Sequence, residues 1–161
     1  MKRNLLFLAV ALAVLNTSNI WAANIVTIND TAGPAFGSFV AASGGTVSVS
    51  ALGVRTNTGG VILVTSAFSA ASFTVTRVQG NPNMTYTITL PANGTVTITC
   101  TSPGTCGANS MAVNNFVSNP TPTGQLTSGT QILTVGATLT VGANQATGTY
   151  SGTYNVTVVG Q

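Results

Sequence analysis

Met84-Thr85-Tyr86-Thr87-Ile88-Thr89-Leu90 alternates apolar and threonine side chains without interruption. A period of two sets Met84, Tyr86, Ile88 and Leu90 on one face of an extended strand and the three threonines on the other. Upstream, Ser72-Phe73-Thr74-Val75-Thr76-Arg77-Val78 places Phe73, Val75 and Arg77 together, with the core side reaching as far as Val75. Downstream, Thr95-Val96-Thr97-Ile98-Thr99-Cys100 repeats the pattern. The runs are separated by Gln79-Gly80-Asn81-Pro82-Asn83 and Pro91-Ala92-Asn93-Gly94. Asn-Gly tolerates the positive φ of a tight hairpin, and proline cannot donate to a central ladder. The three strands are expected to form a meander.

Working outward, strands are expected at 24–29, 35–41, 45–52 and 60–64, then at 110–117, 131–141 and 148–159. Gly-, Asn- and Pro-rich breaks at 43–45, 57–60, 119–124 and 142–145 separate them. Past residue 22 no long apolar stripe of period 3.6 occurs, so little helix is expected. Short strands spaced by turns predict an all-β fold, an immunoglobulin-like β-sandwich whose two sheets face apolar rows inward. A solenoid would need a fixed-period repeat, which the sequence lacks.

The N-terminus reads as an export signal. Lys2 and Arg3 precede the apolar run Leu5 to Leu15, too short to span a bilayer as a helix. Cleavage is expected after Ala22, giving a signal peptide over 1–22 and a single domain over 23–161. The membrane is then met only during export. Removal of the signal lowers the formal charge from +3 to +1, because Lys2 and Arg3 leave with it.

What remains has three charged side chains, Asp30, Arg55 and Arg77, and no His, Glu or Lys. General acid/base catalysis at neutral pH draws on groups tuned near 7, and one aspartate makes no pair or triad. No catalytic residue, cofactor or metal site is expected. Two isolated arginines supply little of the phosphate neutralisation that nucleic acids require, so nucleic-acid binding is set aside. Arg55 is expected to be solvated, and Arg77 to lay its stem over the core edge with its head in water. Asp30 is expected to form a turn. Cys100 and Cys106, with five residues between them, are expected to close a short loop between two strands as a disulfide.

Threonine supplies 27 residues of the processed chain, enough to solvate outer sheet faces without charge. Edge strands then lack the charged residues that normally prevent edge-to-edge association. Both ends of the domain look like candidate assembly strands. At the N-terminal end Val26 and Ile28 share a face, while at the C-terminal end Tyr150, Gly152, Tyr154, Val156 and Val158 do so. Val26 and Ile28 could be donated to a neighbour, but the segment is short and is read first as an ordinary strand of its own domain. Tyr86, Tyr150 and Tyr154 could line a glycan-binding face, although alternation with Thr favours packing.

Phe36-Gly37-Ser38-Phe39, the segment from Asn115 to Gly124 and the block from Leu133 to Val158 resemble the bacterial family of unknown function numbered 4402. That resemblance implies a fimbrial-subunit-like sandwich, exported by a Gram-negative bacterium through the periplasm to its outer surface. A more distant likeness is to chaperone-usher pilins, whose last strand carries a glycine fourteenth from the end. Gly148 occupies that position, and Gly160 stands where those proteins have an aromatic residue. Self-association, related fibre subunits and a periplasmic chaperone are the implied partners. The expected function is a secreted structural subunit of a surface fibre, pilus or biofilm matrix. The competing expectation is a monomeric adhesin or glycan-binding module.

Overall fold

The computed structural model describes residues 25–32, 34–81, 83–102, 106 and 109–161. The expected signal peptide and its cleavage site lie outside the described residues. Among the described residues every regular element is a strand, so the all-β expectation holds.

The larger sheet is built on β11 (Thr130–Val141), the longest strand. Its first half pairs with β6 (Ala71–Gln79) and its second half with β3 (Gly45–Val49). These two lie end to end along one edge, because β9 (Ser110–Asn119) takes the other. Gly136 marks the joint. A Cβ there would collide with the backbone of Val49, Ser50 and Ala51, so only glycine lets the chain leave β3 so closely over β11. Outside β6 lies β1 (Ile25–Ala32), and outside β3 lies β4 (Arg55–Gly59). Beyond β9 come β8 (Val96–Cys100) and the two-residue β12 (Tyr150–Ser151).

The second layer is in two pieces. One is the three-stranded sheet β10 (Thr123–Leu126), β7 (Met84–Thr89) and β13 (Thr157–Gly160). The other is a ribbon of β2 (Phe39–Val40) and β5 (Ile62–Leu63). Each covers its own apolar cluster. Under the three-stranded sheet lie Phe73, Val75, Met84, Tyr86, Leu126, Leu133 and Val135. Beneath and beside the ribbon are Val47, Val61, Val96, Met111, Val113, Leu139 and Val141. Burial of each such side chain is worth about 1.5–3 kcal/mol against leaving it in water. Tyr86 is wholly buried, and its hydroxyl donates to Gln131 Oε1 at 2.8 Å. Phe116 and Tyr154 touch both clusters and join them.

Alternation identified faces correctly but not neighbours. The expected meander of β6, β7 and β8 is not formed: β6 pairs with β1 and β11, β7 with β10 and β13, and β8 with β9 and β12. The breaks at 57–60 and 119–124 partly fold as β4 and β10, whose Thr, Asn and Gly residues give little apolar signal. Asp30 lies inside β1, in register with Phe73, rather than in a turn. The expected strand 148–159 is divided between layers, as β12 and β13.

Candidate docking groove

Where the two pieces of the second layer fail to meet, a groove of about 930 Å³ opens over the larger sheet. Its floor is Val96, Ile98, Met111, Val113 and Leu139, inward side chains of β8, β9 and β11. One wall is 34–42 and the other 144–154. No lining residue carries a charge, so the groove favours neutral, partly apolar occupants.

The first wall hangs from β2 and from a pair of main-chain bonds between Ala35 and Ser69, both 2.9 Å. Arg55 pins it from behind. Its Nη2 donates to Ser38 O at 2.6 Å, its Nη1 donates to Val64 O at 3.1 Å, and its guanidinium lies 5.5 Å from the Phe68 ring centre. The expectation of a solvated Arg55 is therefore corrected. An inward-pointing cation on edge strand β4 closes the gap to the ribbon, and desolvation lowers its pKa from the ordinary arginine value. Arg77 shares the Phe73 and Val75 face as expected, with Nη1 donating to Gly80 O at 3.0 Å.

The second wall carries the crossing between layers. After β12 the chain passes over β8 at Gly152, where a Cβ would lie 2.6 Å from Thr97 O and 3.1 Å from Ile98 Cα. From there 152–156 runs outside any ladder until β13 pairs with β7. Tyr154 turns inward, 5.2 Å from Phe116 and 6.4 Å from Phe73 between ring centres. Tyr150 also faces the groove, and its hydroxyl donates to Ala146 O at 2.7 Å.

The disulfide forms between Cys100, at the end of β8, and Cys106, with Cα atoms 5.9 Å apart. Its loop grips the second wall. Thr101 N–H donates to Thr149 O at 2.7 Å, and Thr149 N–H donates to Ser102 Oγ at 3.1 Å.

The expected assembly residues separate into three places. Val26 and Ile28 pack on the cluster beneath the three-stranded sheet, with β1 paired to β6 of its own chain. Gly148, Tyr150 and Tyr154 line the groove. Val156 and Val158 pack on the same cluster as Val26 and Ile28. Sequence reasoning missed the groove: its floor reads as ordinary core, and its wall 34–42 reads as a strand over 35–41 carrying the family-like Phe36-Gly37-Ser38-Phe39. The groove offers hydroxyls, amides and apolar surface, and the described residues hold no cluster of three metal-ligating side chains.

The family described as Domain of unknown function (DUF4402) matches residues 26–159. Comparison with curated proteins and with solved structures gives no match.

Proposed function

The chain belongs to the DUF4402 family, and from that premise we propose that it is an exported structural subunit of a bacterial surface fibre, pilus or biofilm matrix, acting by protein–protein assembly. The observation that carries this reading is the uncharged groove in an incomplete second layer. Beside it, 152–156 crosses between the layers outside any ladder. The occupant is a neighbouring copy of this chain. With one acid and two bases after the expected cleavage, a copy presents the neutral surface that a neutral groove accepts. Against the glycan-binding alternative, Tyr86 is wholly buried, and Tyr150 and Tyr154 pack on the core clusters as well as lining the groove.

The test is light scattering and negative-stain microscopy of the protein comprising 23–161, alongside Thr153→Glu at the groove rim. Association is expected in the parent, with at least about a tenfold weaker self-affinity in the variant, equivalent to roughly 1.4 kcal/mol. A parent that stays monomeric at high concentration, or a Thr153→Glu protein that assembles equally well, would reject the groove as an assembly surface. Glycan-array binding by monomers would favour the adhesin instead.

A further inference from the structure

Resting on the groove as the working surface, we propose that the Cys100–Cys106 disulfide is the positioning element of its C-terminal wall, so that oxidation completes the groove. The wall lies directly on the bridge. A Cβ at Gly148 would strike Cys106 Sγ and stand 3.5 Å from Cys100 Sγ, so the chain sits there only because residue 148 is glycine. Immediately after it, Thr149 O accepts from both Thr101 N–H at 2.7 Å and Thr101 Oγ1–H at 3.1 Å. Thr149 N–H returns a bond to Ser102 Oγ, while Ser102 N–H lies 3.3 Å from Cys100 Sγ. Tyr150 and Ser151 then pair with Cys100 and Thr99.

This attachment is short. β12 has two residues, too few to hold a strand by its own ladder. The wall is internally tied, with Tyr150 Oη donating to Ala146 O and Gln145 Nε2 donating to Tyr150 Oη at 3.1 Å. At its far end Asn144 N–H donates to Ala42 O at 3.0 Å, on the opposite wall. The wall is thus a preformed unit fixed at 144 to the other wall and at 152–154 to β8 and the core, with its middle, 148–150, held by the disulfide loop. Reduction by an external dithiol breaks the S–S bond, places one hydrogen on each Sγ and leaves the reductant as its own disulfide. The two sulfurs then separate, and the surface against which Gly148 rests is lost. A chain still reduced would carry a formed core but a loosened groove.

Hydrogen exchange read by mass spectrometry on the oxidised protein comprising 23–161, the same protein under an excess of dithiothreitol, and Gly148→Ala tests this. Peptides over 145–154 are expected to exchange about tenfold faster after reduction, with those of β6, β7 and β11 unchanged. Gly148→Ala, its disulfide intact, is expected to show the same local loosening. If that variant does not fold, reduction of the parent decides alone. Unchanged exchange in the wall, or equal acceleration throughout, would overturn the proposal. The measurement is made on monomer. A wall that loosens while self-association persists defeats the groove as assembly surface but leaves the disulfide's role intact.

Discussion

Arg55 carries one of the few charges of the domain, yet its guanidinium is turned toward two carbonyls and an aromatic ring. The partners lie 9 and 17 residues away along the chain, so they are set by how β2, β4 and β5 come together. No local pattern around Asn57 or Gly53 announces them, which is why the sequence reads as a solvated arginine beside a glycine turn. Arg55→Met keeps much of the stem but leaves Ser38 O and Val64 O without these donors. It is expected to lower stability by about 0.5–1.5 kcal/mol in urea unfolding, since water can reach both carbonyls. In contrast, the inward faces of β6 and β7 were legible residue by residue, because strict alternation fixes which side each Cβ takes.

At the scale of elements, periodicity is silent about which strand lies beside which. The rows of β6 and β7 look alike, and they enter different layers. The C-terminal run hides its division for a related reason. Tyr154, Val156 and Val158 stay inward while the hydrogen-bond partners change, so the alternation passes through the crossing. β1 illustrates the opposite case, a short strand read first as an ordinary strand of its own domain and paired here with β6 of the same chain. Val26→Ala and Ile28→Ala are each expected to reduce stability by about 1–2 kcal/mol, a partial large-to-small loss at half-buried sites. Deletion of 25–29 is expected to give a chain that unfolds at markedly lower denaturant, and unchanged midpoints in circular dichroism would show that β1 contributes nothing to its own domain.

For the molecule as a whole, composition was the most informative property, since the scarcity of ionisable groups constrains chemistry before any fold is known. It also shapes the response to pH. Stability varies with pH only where folded and unfolded chains bind different numbers of protons. With no His or Glu, stability between about pH 5 and 9 is expected to stay flat to within about 1 kcal/mol. Above that range Tyr86 takes over. Burial raises its pKa above the ordinary tyrosine value, so the folded state holds the phenolic proton more tightly than the unfolded one. Its contribution is complete below about pH 10 and is lost as pH rises through the folded value, by up to roughly 1.4 kcal/mol per unit. Thermal melts that drift steadily from pH 5 to 9, or ignore alkali, would contradict this. Tyr154, wedged between Phe116 and Phe73, has a calorimetric consequence: with Phe116 and β11 it couples two hydrophobic reservoirs, which are therefore expected to melt under a single endotherm. With Tyr154 trimmed to alanine, the endotherm should broaden and the calorimetric enthalpy should exceed the van't Hoff value, while Phe116 and β11 still link the reservoirs.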